Sequence, residues 1–392
     1  MRVLIVSPQP FFSPRGTPFS IYYRVLVMAE QGVRSDILTY GSGENAHIRG
    51  ARITRIPRFR FLEPVPVGPS WQKLLLDVFM VIWTIGMLLR HRYKVVFAHE
   101  EAVFWCRYLK PLFRFRLVYE MHSNLSQQLT NFQFTKSRVL IRIFKFLQDS
   151  SLKAADAVVT VCPALRDYVT ALAVPMERHL MIENSIYDDV HLHGSTHPAE
   201  SESEGSTINY WPGHPVVLYA GTFEVYQGVE MLVRAFARVA RARPDARLLL
   251  IGGTGQQVEK IRALADSLGL GDRCGVSATV SKANAIRHSR AAQVLVSPRL
   301  HGSNTPLKIY EQIASGRPLV ATRIWSHTQV LDESVCFLVE PDPESLAGGL
   351  LEALNDEDRA RQRAANALAL YESEYARPVY ELKVRRLLEL VC

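Results

Sequence analysis

The stretch SPRLHGSNTPLKIYEQIASGRPLVAT at residues 297–322 decides the fold class of this chain. Its apolar flanks, 294–296 and 319–321, predict two buried strands. Between them, Thr305 has the chemistry of a helix N-cap and Pro306 suits the first helical position, while a Gly-Arg-Pro sequence predicts the end of the helix. The stretch therefore predicts a strand, a loop, a short helix and a second strand, which is the repeating unit of a parallel α/β sheet.

The start of the predicted helix favours an anionic ligand. Helix N-termini present unpaired N–H groups and partial positive charge, and Lys308 adds a full charge in the first turn. Glu311 lies about one turn further on, roughly 6–8 Å from the helix start by helix rise, which suits the diphosphate and the ribose of one nucleotide. The alternative interpretation of this helix alone is a capped surface helix with a solvated glutamate.

The whole stretch resembles the nucleotide-sugar site of the family 4 retaining glycosyltransferases, which have the GT-B fold. That family typically carries two glutamates eight positions apart here; Glu311 matches the second, whereas Ser303 stands at the first. Residues 306–311 match the Pro-Leu-Lys-x-x-Glu version that a subset of the family carries. The resemblance implies that Glu311 holds the ribose and that Lys308 stabilises the leaving phosphate. It implies further donor-binding roles for Arg299, Gly302, Ser303, Asn304, Thr305 and Leu307.

Other loops of the second half match the family less closely. The loop that begins at Gly221 resembles the one in which the family normally holds an arginine and a lysine against the diphosphate, but those positions are Thr222 and Gln227 here. Lys308 and Arg299 would then carry more of the phosphate charge. The Gly-rich turn at Gly253 lets a backbone approach a ligand, and Val280, at the end of the predicted strand 275–280, is a candidate contact for the base.

The first half resembles the family's acceptor side. Its first predicted strand is followed by a loop and a helix, and Gly16 stands where the family often has two glycines against the donor phosphates and the acceptor. Thr17 belongs to this loop, and Arg15 has a position from which it could reach a phosphate. Glu100 and Glu101 follow a predicted strand at its carboxyl end, where ligands of open α/β sheets bind. We interpret them as acceptor contacts, with a solvated helix start as the alternative.

His122 is the predicted catalytic residue of the first half. It follows the strand predicted at 116–120, where the retaining family often has a histidine that contacts the donor sugar or shields the reacting centre. The alternative is a structural histidine. The sequence has neither a strong nucleophile nor a metal-binding motif, which is typical of a metal-independent transfer in which the acceptor hydroxyl enters on the face that the diphosphate leaves.

Composition supports a two-domain globular protein. The chain has 392 residues, and single cores rarely grow beyond about 300. We predict a first domain at 1–187, a linker or loop insertion at 188–213, a nucleotide-sugar domain at 214–377, and a C-terminal helix at 378–392 that returns to the first domain. Five scattered cysteines favour reduced thiols in a cytoplasm. The net charge of +8 fits an anionic partner, and no nucleic-acid-binding module is recognisable.

Residues 71–89 form the most apolar segment of the first half. We favour a helix buried under the first sheet; the alternatives are a helix on a membrane surface and, least favoured, a transmembrane span. Basic and aromatic residues surround this segment and suit an anionic bilayer, with a basic surface that keeps the protein soluble and aromatic side chains in the interior as the alternative. They are Arg55, Arg58, Arg60, Lys73, Arg90, Arg92, Arg107, Lys110, Arg114, Arg116, Trp105, Phe113 and Phe115.

The sequence thus predicts a GT-B enzyme, with two Rossmann-like domains facing across a cleft. We expect it to move a sugar from a nucleotide diphosphate sugar, UDP first, to a sugar or lipid-linked acceptor without a cofactor. It would lie in the cytoplasm, bound peripherally to the membrane. The alternatives are a catalytically weak nucleotide-sugar-binding or assembly subunit, motivated by the missing glutamate and the missing arginine and lysine, and a sugar-nucleotide epimerase.

Overall fold

The computed structural model describes residues 1–12, 16–66, 68–126, 129, 137–184 and 211–392. The chain divides into two compact units: Met1–Pro198 with Arg377–Cys392, and Ala199–Ala376. All but the last three residues of the predicted linker at 188–213 lie outside the described residues, as does Arg15. The predicted domain limits therefore stay predictions.

Strands and helices alternate along the chain. The strands are β1 (Arg2–Ser7), β2 (Arg34–Thr39), β3 (Ala51–Arg55), β4 (Val95–His99), β5 (Arg116–Met121), β6 (Ala157–Thr160), β7 (His179–Met181), β8 (Val216–Ala220), β9 (Arg247–Gly253), β10 (Cys274–Ala278), β11 (Val294–Ser297), β12 (Leu319–Thr322) and β13 (Phe337–Val339). The helices are α1 (Gly16–Glu30), α2 (Trp71–Arg90), α3 (Ala102–Phe113), α4 (Arg138–Ala154), α5 (Pro163–Ala171), α6 (Val229–Ala242), α7 (Gly255–Ser267), α8 (Lys282–Ala291), α9 (Leu307–Ala314), α10 (Trp325–Thr328), α11 (Pro343–Asn355), α12 (Glu357–Glu374) and α13 (Arg377–Val391).

Each unit contains one parallel sheet. The first has the strand order β3-β2-β1-β4-β5-β6-β7 and the second the order β10-β9-β8-β11-β12-β13. In both, the order reverses beside the unit's first strand, and the carboxyl ends of strands at such a reversal are where open α/β sheets bind ligands. The central strands β1, β4, β8 and β11 are buried along nearly their whole length because helices cover both faces of each sheet. The predicted GT-B fold class, with two Rossmann-like sheets, is confirmed.

The C-terminal helix α13 belongs to the first unit and packs against α1. Arg24 of α1 donates from Nε to the hydroxyl of Tyr380 at 3.1 Å, inside the core. Arg377 pairs with Glu30 at the surface, at 2.7 Å. Buried and exposed polar contacts therefore both join the last helix to the first.

The favoured interpretation of α2 as a buried helix is wrong. The helix packs one face on the core through residues such as Leu76, Met80 and Leu88, but Leu75 and Ile82 on its other face are more than half exposed. Among the described residues, α2 is the one helix whose length and hydropathy would allow it to cross a membrane, and only 22% of that window is buried. The sequence prediction failed because apolar residues occupy both faces of this helix, so periodicity does not identify the face that packs.

Candidate active site

Helix α9 starts one residue later than predicted. Leu307 is its first residue and Pro306 is the N-cap, with ψ at 138°, whereas Pro306 was predicted inside the helix and Thr305 as its cap. The Thr305 hydroxyl does not cap the helix, and among the described residues it has no hydrogen-bond partner although it is buried. Pro306 has an extended and not a helical ψ, so the helix begins only at Leu307 and Thr305 lies one residue before the capping position. Within the described part of the chain, the loop before α9 therefore keeps a buried hydroxyl that has no hydrogen-bond partner.

The amine of Lys308 is held by side chains of β8 and of the Gly221 loop. Its Nζ donates to Oε1 of Gln227 at 2.9 Å and to the hydroxyl of Tyr219 at 3.4 Å, and it lies 4.4 Å from the centre of the Tyr219 ring. Burial lowers the pKa of Lys308 to about 7, and the charge of Arg299 acts in the same direction. Neither hydrogen-bond partner of this amine is a carboxylate. An anionic ligand here would supply the missing counter-charge.

Arg299 lies near Lys308 on the loop after β11. Its guanidinium stacks over Tyr226 at 5.2 Å and donates from Nε to the carbonyl of His301 at 2.9 Å. Gly302 packs directly against this guanidinium, where any Cβ would lie 2.6 Å from it. Burial lowers the pKa of Arg299, which nevertheless stays charged at neutral pH. The structure thus brings two predicted phosphate-binding cations together.

The position of the loop that begins at Gly221 is set by the glycine at the loop's end. Gly228 has φ of +72°, and a Cβ there would lie 2.0 Å from the carbonyl oxygen of Pro298. Only glycine permits so close an approach. Because Gln227 precedes this glycine, the contact also fixes the partner of Lys308.

The remaining predicted donor residues of the 299–311 segment lie along α9 and its entry loop. Glu311 is exposed, one turn after Lys308, and Leu307 and Asn304 are half-buried. Ser303, which stands in place of the family's first glutamate, is exposed, and its carbonyl accepts a hydrogen bond from Gln329 at 2.7 Å.

The other predicted donor residues lie at the carboxyl ends of β8, β9 and β10. Thr222 is exposed, and its carbonyl accepts from the Tyr219 hydroxyl at 2.7 Å. Gly221 lies close to the amine of Lys308. Gly253 is buried against the ring of Phe223, and Val280 follows β10, which ends at Ala278, two residues before the predicted end.

In the first unit, His122 belongs to a buried polar cluster. Its Nε2 lies 3.0 Å from Nδ1 of His99, and both nitrogens lie within 3.9 Å of Glu120. Arg24 approaches the same carboxylate at 3.6 Å, and both side chains of that pair are 1% exposed. Burial lowers the pKa of each histidine to about 3, so both rings are neutral at physiological pH. A neutral, oriented imidazole at a strand's carboxyl end can hydrogen-bond a sugar hydroxyl.

His99, Glu120 and His122 also form the one group among the described residues that is close enough to share a metal ion, with ligand atoms within 4.8 Å of one another. The guanidinium of Arg24 already balances the Glu120 carboxylate and would repel a cation. We therefore interpret the cluster as a hydrogen-bonded and ion-paired network.

Glu100 and Glu101 differ in environment. Glu100 has a left-handed backbone with φ of 49°, which is uncommon outside glycine, and its carboxylate accepts from the Ser123 hydroxyl at 2.9 and 3.0 Å. Burial, reinforced by the neighbouring Glu101, raises the pKa of Glu100 to about 8. Glu101 pairs with Lys73 at 3.1 Å. Neither is the fully solvated glutamate of the alternative interpretation.

The two described residues of the predicted phosphate loop, Gly16 and Thr17, form the first turn of α1, and both are half-buried. Sequence reasoning did not identify Tyr219 as a contact of Lys308, and it did not identify the other members of the buried cluster around His122. Those members are His99, Glu120 and Arg24. Position at a strand's carboxyl end was an available signal for His99, as it was for His122. Nothing local marks Arg24 or Tyr219, whose roles depend on tertiary contacts.

Comparison with known proteins gives a consistent result for both units. A family model described as glycosyl transferases group 1 matches residues 214–356, and one described as a glycosyl transferase 4-like domain matches residues 25–185. One subunit of the phosphatidylinositol N-acetylglucosaminyltransferase of Arabidopsis thaliana is 24% identical over 91% of this chain and 74% of its own length. Both units of the chain therefore match family models of glycosyltransferases.

Solved structures of other proteins have the same fold. The sucrose-phosphate synthase of Thermosynechococcus elongatus superposes with a TM-score of 0.73 at 19% identity, covering 99% of this chain and 98% of that one. HepE of Anabaena, solved with UDP, gives a TM-score of 0.71 at 15% identity over 99% and 100%. A D-inositol 3-phosphate glycosyltransferase of Segniliparus rotundus is 30% identical over 33% of this chain, but the match spans only 30% of that relative's length.

Proposed function

We propose that this protein transfers a sugar from a UDP-sugar to an acceptor hydroxyl with retention of configuration and without a metal or other cofactor. The observation that carries the proposal is the buried amine of Lys308, beside Arg299 and oriented by Gln227 and Tyr219. Neither cation has a carboxylate partner among the described residues. Both lie at the carboxyl ends of strands, beside the point where the strand order of the sheet reverses, and this position suits a diphosphate.

The comparisons support UDP as the nucleotide. HepE of Anabaena was solved with UDP and with UDP-glucose. The Pro-Leu-Lys-x-x-Glu sequence at 306–311 supports placing the chain in the subset of the family that carries it.

In the proposed reaction the diphosphate leaves while the acceptor hydroxyl enters on the same face of the sugar. Lys308 and Arg299 stabilise the charge that grows on the leaving phosphate, which is electrostatic catalysis. Glu311 holds the ribose, and neutral His122 donates a hydrogen bond to the sugar. Glu100 and Glu101 bind the acceptor.

Replacing Glu311 with alanine should weaken UDP binding by about 1–3 kcal/mol, because hydrogen bonds from the ribose hydroxyls to a carboxylate are lost. Isothermal titration calorimetry measures this directly. The matched control is Glu372→Ala on α12, an exposed glutamate of the same unit that no part of the proposed site uses. Unchanged affinity in folded Glu311→Ala would remove the ribose assignment.

UDP affinity should also fall as pH rises above neutrality. With a pKa of about 7 in the free protein, Lys308 loses its proton in alkaline solution, whereas a bound diphosphate would raise that pKa. Binding then takes up a proton, and affinity drops about tenfold per pH unit from about 7.5 to 9, where the phosphates are already ionised. Calorimetry in buffers of different ionisation enthalpy counts the proton. Lys308→Arg should bind with a nearly constant affinity over this range, and a pH-independent wild type would contradict the shift.

A second candidate function is a nucleotide-sugar-binding or assembly subunit with little activity. Ser303 and Gln227 favour it, since the family's glutamate and lysine would add direct contacts at those positions. Incubation with labelled UDP-sugars without acceptor separates the candidates. A transferase hydrolyses the donor slowly, an epimerase converts the sugar, and a binding subunit does neither.

We further propose that the first unit binds an anionic membrane surface from the cytoplasmic side. The exposed cations Arg90 and Arg92 lie at the end of α2. Trp71 lies at the start of the same helix, and it and Phe61 are among the most exposed aromatic residues. Several of the predicted membrane contacts are engaged elsewhere. Arg58, Lys73, Lys110 and Arg116 are paired with carboxylates, and Phe115 is buried.

Liposome co-sedimentation tests the membrane proposal. Binding should rise with phosphatidylglycerol content and fall as salt screens the charges. Ile82→Glu should weaken it, whereas Leu382→Glu, the same kind of change at an exposed apolar residue of α13, should not. Absence of pelleting at low salt with anionic vesicles would reject membrane binding and favour a soluble acceptor.

A further inference from the structure

A cavity of about 220 Å³ lies in the first unit between α2, α3 and α4. Its wall is largely apolar and is made by Leu74, Phe104, Trp105, Leu125 and Phe144. Protein interiors rarely leave voids of this size, because each one loses packing contacts and destabilises the fold. An apolar cavity of about 150 Å³ takes up a molecule such as benzene, so this one has room for a short length of hydrocarbon.

One end of the cavity is polar. Ser70, Lys73, Asp77 and Glu101 converge there. Lys73 and Glu101 form an ion pair at 3.1 Å, and Asp77 accepts a hydrogen bond from the hydroxyl of Tyr40 at 2.6 Å. Burial, together with the nearby Glu101 carboxylate, raises the pKa of Asp77 well above its usual range. This end offers donors and acceptors in nearly neutral balance, which suits hydroxyl groups better than a phosphate.

The other end reaches the exposed face of α2. Leu74 lines the cavity and is also 40% exposed, so it marks the side on which the cavity opens. Leu75, its neighbour, is not part of the cavity wall and is 53% exposed. The exposed apolar surface of α2 therefore adjoins the cavity at Leu74.

We propose that this cavity holds the first part of the single hydrocarbon chain of a lipid acceptor, with the hydroxylated head group of that lipid at Glu101 and the adjacent Glu100. The inference rests on the proposed transfer to an acceptor hydroxyl and names the acceptor class: an amphiphile with one alkyl or isoprenoid chain. The apolar wall excludes a nucleotide, and the volume is below the roughly 300–1,000 Å³ of sites that enclose drug-sized ligands. The chain beyond the cavity would lie along α2.

Trp105 in the wall allows a direct test. The probe is an octyl glucoside brominated on its chain, used below its micelle concentration, since bromine quenches tryptophan fluorescence on contact. Wild-type protein should be quenched saturably, and Trp105→Phe should lose most of that quenching. Unlabelled methyl, butyl and octyl glucosides should compete with increasing strength as the chain fills the cavity.

Two variants complete the test. Leu74→Glu places a charge in the cavity and should weaken probe binding by about tenfold or more, whereas Leu382→Glu places the same charge at an exposed apolar residue of α13 and should leave probe binding within about twofold. Equal binding by both variants, quenching that survives Trp105→Phe, or no effect of chain length would overturn the proposal. Calorimetry with UDP is run in parallel. If the wild-type protein did not bind UDP but its fluorescence were still quenched by the probe, the transferase function would be contradicted while the hydrocarbon site would remain supported.

Discussion

Replacing Lys308 with glutamine should lower kcat by about 10²-fold or more while changing KM much less. Charge on the leaving phosphate grows in the transition state, so a cation placed to meet it stabilises that state more than bound substrate. Glutamine keeps a hydrogen-bond donor for Gln227 and Tyr219 but removes the charge. The fold should tolerate the change, because burial already brings the pKa of this amine to about 7.

Steady-state kinetics with a UDP-sugar and a suitable acceptor measure the effect. Lys260→Gln is the control, since Lys260 is an exposed lysine of the same unit that pairs with Glu230. A rise in KM with unchanged kcat would make Lys308 a ground-state binder and remove it from the catalytic machinery.

Replacing Arg24 with methionine should lower the free energy of unfolding by about 3–5 kcal/mol, because it leaves the Glu120 carboxylate buried without a counter-charge. The variant also loses the hydrogen bond to Tyr380. The double variant Arg24→Met/Glu120→Gln should recover much of the loss, since no buried charge then remains unpaired.

Denaturant unfolding of the single and double variants forms a double-mutant cycle. The exposed pair Arg377–Glu30 joins the same two helices, so Arg377→Met is the matched control and should cost at most about 1 kcal/mol. A similarly small cost for Arg24→Met would mean that water reaches the pair and that the cluster around His122 is not dry.

The sequence by itself determined the fold class and the segment 297–322. Parallel strands buried on both faces are continuous apolar runs, and turn residues punctuate them, so the alternation of strands and helices is a local property. The position of α9 after β11 was also predictable from the local sequence. Few chain topologies are compatible with a strand that is followed by a loop with glycine and by a helix that starts near a proline. Only the register of the cap, Pro306 in place of Thr305, needed the structure.

Tertiary structure alone decided which faces are buried and which side chains meet. Residues 71–90 are apolar around much of the helix, and the packing of the first sheet, not the pattern, chose the face that remains exposed. Lys308 meets Gln227 across 81 positions of sequence, and Arg24 meets Tyr380 across 356. Burial among such distant neighbours also sets the protonation of Lys308 and His122. The desolvation that shifts a pKa depends on surrounding side chains, which no local stretch of sequence specifies.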